Sequence, residues 1–194
     1  MAKKKNKKET EATEAKAIEI TAAAIKDDFC HYSFAILSGV GIGDKHNVKG
    51  SGIVDEDLKI AFARLNVHMA AIDDAFKSID VDNIDKYHNS DQAHLYIVTG
   101  FEIKGSEENR QIILIGSKHI NVGGRIEMKT PKILLEPGTS YKWYNELLEE
   151  SNKCIAEVEE YRNGKCTPVE VETTNDPDQL SLVDQADEFE NAKQ

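Results

Sequence analysis

The stretch Arg110-Gln111-Ile112-Ile113-Leu114-Ile115-Gly116-Ser117 carries four apolar residues in succession. Side chains alternate between the two faces of an extended chain, so a strand of this kind is apolar on both sides. It is predicted to lie centrally in a sheet, with helix over one face and a partner subunit over the other. Upstream, Ala93–Ile103 reads as its hairpin partner around Leu95, Tyr96, Ile97, Val98 and Phe101, joined through the polar turn Lys104–Asn109. Downstream, His119–Met128 continues the strand pattern with a turn or bulge at Gly123-Gly124. Lys132–Leu135 reads as a short edge strand, with Pro131 tolerated at its start. Phe29–Leu37 alternates Tyr32, Phe34 and Ile36 with smaller residues and makes one more strand.

Two longer segments have helical spacing. Asp55-Glu56-Asp57 supplies an acidic first turn, which complements exposed backbone N–H groups, and Leu58, Phe62, Leu65, Met69, Ile72 and Phe76 then form one stripe to about Lys77. Pro137-Gly138-Thr139-Ser140 offers an N-cap to Tyr141–Arg162, whose Glu146, Glu149, Glu150, Glu157, Glu159 and Glu160 line its solvent side. A third, short helix is expected at Ile18–Ile25. The fold expected is therefore α+β: an antiparallel sheet of four to five strands with two main helices on one face. It occupies residues 26–165, between a lysine-rich tail (1–25) and an acidic one (166–194), a size that suits one core.

Charge is unevenly spread over the 194 residues. Residues 1–25 are net +2, 26–167 net −6 and 168–194 net −7. Phosphate contact needs local Lys or Arg, and the candidates are Lys3, Lys4, Lys5, Lys7 and Lys8 in the first tail. A second set, Lys45, His46 and Lys49, lies in the glycine-rich Gly39–Gly52. That stretch reads as a hairpin or mobile loop, or as a cradle for a polyanion. It lacks the Gly-Lys-Ser/Thr of a triphosphate loop, and Gly39, Gly41 and Gly43 miss the dinucleotide spacing.

No apolar run reaches the length of a membrane span and no leader peptide is visible, so a cytoplasmic protein without membrane contact is expected. Cys30, Cys154 and Cys166 form no paired knuckle and are expected to be reduced. Asp80, Asp82 and Asp85 lack the glycine and terminal Glu of a calcium loop and read as a solvated loop. The six histidines are scattered. His68 borders the first helical stripe, and only folding would bring His94 to His119. No catalytic residue, metal ligand or cofactor is assigned. Trp143 lies off the stripe of the last helix and reads as edge packing or as an anchor for a protein partner.

The acidic tail holds one short apolar peptide, Gln179-Leu180-Ser181-Leu182-Val183. It resembles the bacterial sliding-clamp-binding motif, a Gln-Leu-(Ser/Asp)-Leu-Phe pentapeptide carried by replication and repair proteins. The resemblance covers five residues and places Val183 where the motif prefers an aromatic. It implies that Gln179 bonds at the rim of the clamp groove while Leu180, Leu182 and Val183 fill its pockets beside Ser181. The function expected is a DNA replication or repair accessory that binds single- or double-stranded DNA and is recruited to a clamp. Two alternatives stand beside it. One is a bacterial or phage assembly protein, homo-oligomeric and without nucleic acid. The other is a small-molecule phosphate- or nucleotide-binding protein or enzyme.

Overall fold

A computed structural model describes residues 18–38, 41–77, 81–105, 109–120 and 122–168. Its centre is the predicted apolar strand, β5 (Gln111–Ile120), paired antiparallel with β4 (Tyr96–Lys104), with Phe101 opposite Leu114 and Glu102 opposite Ile113. β6 (Gly124–Lys129) and the two-residue β7 (Ile133–Leu134) share the outer edge of β5.

The sheet is larger than the four to five strands expected. It has seven strands, in the order β3-β2-β1-β4-β5-β6, with β7 on β5. One expectation fails here, and a second holds only in its hairpin form. Ile18–Ile25 is not a helix but lies in strand β1 (Ile18–Lys26), which joins the two halves of the sheet by pairing with β2 (Phe29–Ser38) on one side and β4 on the other. Its alanines have good helix propensity, but strand partners on both sides override it. The glycine-rich stretch is mostly a 13-residue edge strand, β3 (Gly41–Ile53), paired with β2 from Phe29↔Ile53 to Ser38↔Gly41. At Gly50 the backbone passes so close to the Cys30 carbonyl and the Tyr161 hydroxyl that a Cβ would collide with both. Glycine serves close approach here, not a mobile loop.

The long first helix is divided. α1 (Glu56–Arg64) starts at Asp55, whose Oδ1 accepts from the Leu58 N–H at 3.0 Å. The chain turns at Leu65 and resumes as α2 (Asn66–Ile72). Asn66 accounts for the break, because its Oδ1 accepts from the Val98 N–H at 2.8 Å and fastens the joint to β4. Asp82–Asp91 contains a 3₁₀ turn, Ile84–Tyr87, and the start of a one-turn helix, α3 (Asp91–His94). β4 therefore begins later than expected, and His94 is helical and exposed. The last helix, α4 (Tyr144–Arg162), begins three residues late. Trp143 is its N-cap and makes no side-chain capping bond.

The helices pack on the side of the sheet that bears Tyr32, Tyr96, Phe101, Ile112 and Leu114, and close one core with Leu58, Phe62, Leu65, Met69, Leu147 and Val158. Phe62 and Phe101 meet with ring centroids 5.8 Å apart. Each such aliphatic side chain contributes roughly 1.5–3 kcal/mol of burial. Cys30 and Cys154 are buried here as free thiols; burial pushes Cys30 up to about 12 and, with smaller contributions from Cys30, Glu157 and Glu150, moves Cys154 the same way. Such thiols are protonated and inert at neutral pH.

Beyond α4 the chain is tied back. Lys165 Nζ reaches Glu157 at 2.7 Å, Asp57 at 2.9 Å and Asp55 at 3.4 Å, while Thr167 donates from its N–H to Ile53 and from its hydroxyl to Val54. The described chain therefore ends beside the C-terminal end of β3.

Candidate functional site

Among the described residues, no helix covers the far side of the sheet. Cross-strand partners share a face, so its members follow from the register. Lys49 pairs with His31, Asn47 with Ser33 and Lys45 with Ala35; on the other half, Ile115 pairs with Lys129 and His119 with Arg125. Between the halves, β1 contributes Ala22 and Ala24. These short side chains leave the middle of the sheet low, and a groove of about 380 Å³ runs there between Lys49, His31 and Ser33 on one bank and Glu102 and Ile115 on the other.

Polar groups brace its banks. Ser33 Oγ donates to Asn47 Oδ1 at 2.6 Å. Glu102 receives Lys129 at 2.7 Å and Lys104 at 3.1 Å, and these two ammonium groups, Lys129 first, hold its carboxyl below the usual carboxylate range. His31 Nδ1 is buried without a protein partner.

Charge is segregated between the two layers. The seven strands hold Lys26, Lys45, Lys49, Lys104, Lys118, Arg125 and Lys129 against Glu19, Asp44, Glu102 and Glu127, a net +3. α4 alone holds six Glu against Lys153 and Arg162, a net −4. An acidic protein thus presents a locally basic sheet. Lys118 is the exception in direction, being turned to the helix side, where it binds Asp73 at 2.6 Å over the Tyr96 ring.

Of the residues singled out in the sequence, Lys45 and Lys49 belong to this face and are exposed. His46 does not join them. It points to the helix side, with its ring stacked on Phe34 at 5.0 Å. Trp143 is half-buried against the core in an edge contact with Tyr141, and its Nε1 is buried without a partner. Lys3, Lys4, Lys5, Lys7, Lys8 and the peptide Gln179–Val183 lie outside the described residues. Ala22, Ala24, Glu102, Ile115, Arg125 and Lys129 were not singled out as site residues: β4, β5 and β6 follow one another in the chain, but only the pairing of β1 with β4 brings Ala22 and Ala24 beside them.

Two other features offered themselves as sites. His68 is not a boundary residue. It is fully buried, its Nδ1 lies 2.8 Å from the Tyr141 hydroxyl, and burial, with a smaller contribution from His88, drives its pKa down to about 3. It is a neutral core histidine. Among the described residues, one group of three possible metal ligands comes together, Asp55, Asp57 and Glu157. The place a cation would take there is filled by the ammonium of Lys165.

No helix among the described residues is long and apolar enough to cross a membrane. Comparison with family models, curated proteins and solved structures returns no match to this chain.

Proposed function

We propose that this protein is a DNA replication or repair accessory that lays DNA across the open face of its sheet and is recruited to a sliding clamp by Gln179–Val183. The observation that carries the reading is the charge segregation. Lys45 and Lys49 on one bank and Arg125, Lys129 and Lys104 on the other outnumber Glu19, Glu102 and Glu127 on the same face, a local basic excess on a protein of net charge −11. Phosphate contacts position a strand without reading its sequence, and the alanine floor offers no aromatic platform on which bases would stack. Binding of this kind depends strongly on salt and weakly on sequence.

The test is fluorescence anisotropy with a single-stranded oligonucleotide across a salt series. The variant Lys45→Glu/Lys49→Glu is expected to weaken binding and to flatten the dependence of log K on log salt by about 1.4, since each phosphate contact on a single strand contributes about 0.7. An unchanged slope removes the sheet face from the reading. In a separate arm, calorimetry against a bacterial sliding clamp with Leu180→Ala/Leu182→Ala tests the peptide. Losing two leucines forfeits roughly 3 kcal/mol or more of apolar burial, enough to abolish a micromolar contact.

One observation favours a second reading. The floor formed by Ala22, Ala24 and Ile115 is apolar and suits a protein surface as well. An assembly protein would give an oligomer independent of concentration and no retention of DNA.

A further inference from the structure

At each end of the sheet lies a strand with no partner on its outer side among the described residues, β3 at one end and β6 at the other. Such an edge is a row of N–H and C=O groups open to another chain, and lysines are a usual guard against that. β3 carries Lys45 and Lys49 and is held at its Ile53 end by Thr167. β6 is guarded less. Ile126, in its middle, is 53 % exposed, and Val122, in the turn before it, is 88 % exposed. These are the two most exposed large apolar side chains among the described residues, and both lie on this one hairpin.

The pairing with β5 fixes which backbone groups of β6 face outward. The Thr130 N–H, next after the strand and in register with it, donates to the Leu114 carbonyl at 2.9 Å. Met128, Ile126 and Gly124 therefore turn their backbone groups to β5, and Arg125, Glu127 and Lys129 direct theirs away from the sheet.

A second copy of this strand, run antiparallel about a two-fold axis through Ile126, meets those groups in register. Arg125 then lies opposite the partner's Glu127, and Glu127 opposite the partner's Arg125. Both residues of each pair have outward backbone groups, so each pair can exchange both of its backbone bonds while side chains of opposite charge stand side by side on one face. On the other face Ile126 meets the partner's Ile126, and Gly124, without a side chain, makes room for the partner's Met128. Other registers fail. An axis at Glu127 sets that carboxylate against itself and Arg125 against the partner's Lys129, while an axis at Arg125 sets two guanidinium groups together. A shift by a single residue puts outward backbone groups opposite inward ones.

We infer that β6 is the interface of a homodimer, in which two copies join edge to edge into one continuous sheet. The axis stands perpendicular to the sheet, so both helical layers lie on one side and both open faces on the other. A strand this short makes a small contact, which sets the expected association in the micromolar range and makes it reversible.

The test is sedimentation velocity of the full chain, without nucleic acid, from low micromolar to near-millimolar concentration. A monomer–dimer equilibrium is expected. Arg125→Glu and, separately, Glu127→Arg each set like charges together twice across the axis, and each is expected to weaken the dimer at least about tenfold. The exchange Arg125→Glu/Glu127→Arg reverses both members of each pair and is expected to restore the native dissociation constant. All three variants alter exposed side chains at the edge of the sheet and leave the core untouched. A native protein that stays monomeric throughout overturns the inference, as does a dimer indifferent to both single reversals or one that the exchange fails to restore. Because no nucleic acid is present, that failure is distinct from failure of the DNA reading.

Discussion

His68 has an acid-side signature that follows from its burial. In the unfolded chain an imidazole takes a proton near pH 6.5, whereas burial beside Tyr141 holds the native group at about 3. Between these values the unfolded state binds the extra proton. Its contribution to stability is complete above pH 6.5 and is lost as pH falls toward 3, by up to about 1.4 kcal/mol per pH unit. His68→Leu also leaves the Tyr141 hydroxyl without its partner, so the variant is expected to be less stable at neutral pH. Its stability should nevertheless fall less steeply than that of the native protein between pH 6.5 and 3. Urea unfolding across that range measures the difference, and parallel curves would mean that His68 is not held neutral.

Among the elements, those with an unmistakable apolar pattern were legible: β5 as a central strand, α1 and α4 as amphipathic helices, and β2 by its alternation. The missed elements were decided by contacts remote in sequence. The glycines between Gly41 and Ile53 left hairpin and mobile loop undecided until Tyr161 is seen to cross Gly50 and donate to the Gly52 carbonyl at 2.5 Å. The Leu65 break was equally hidden, because it depends on Asn66 meeting Val98. The open face was the least legible part, since its two banks are joined only by the pairing of β1 with β4, strands remote in sequence.

The segment behind α4 yields two predictions at this scale. Gly50→Ala is expected to destabilise the domain by about 1–3 kcal/mol, the usual cost of overpacking, because Tyr161 and the Cys30 carbonyl leave no space for a methyl group. Chemical denaturation measures this, and a neutral result would mean that β3 can move away from α4. Lys165→Met withdraws the ammonium from Asp55, Asp57 and Glu157, leaving three carboxylates whose oxygens lie within 4.8 Å of one another. Like charges so placed repel, so the melting temperature should fall. Millimolar calcium should then recover part of the loss in the variant while leaving the native protein unaffected, since the cation replaces the missing ammonium. Thermal shift with and without calcium decides it, and a variant as stable as the native protein would show that Thr167 alone holds the strap.

At the scale of the molecule, the layers and the tails form one charge arrangement. Ile18 starts beside Ile36, whereas Thr167 is bound at Ile53, which lies opposite Phe29. Seven residues of β2 separate Phe29 from Ile36, roughly 23 Å at about 3.3 Å per residue. Ile18 and Thr167, to which the lysine-rich and acidic tails are joined, therefore lie at opposite ends of β2. Residues 169–194 carry eight acidic side chains and one Lys, anchored at the end of the strand that bears Lys45 and Lys49. That charge works against a polyanion approaching the open face, over a range set by a Debye length of about 10 Å at 0.1 M salt. Deleting residues 169–194 is expected to tighten binding of single-stranded DNA at low salt, with the gain disappearing as salt rises. The same deletion removes Gln179–Val183 and should abolish clamp binding. Leu180→Ala/Leu182→Ala should also abolish clamp binding, yet leave DNA affinity at its native value, because no charge is altered. Anisotropy on the two variants side by side thus separates the tail's field from its peptide. A deletion that failed to tighten DNA at low salt would mean that the open face is not where DNA binds.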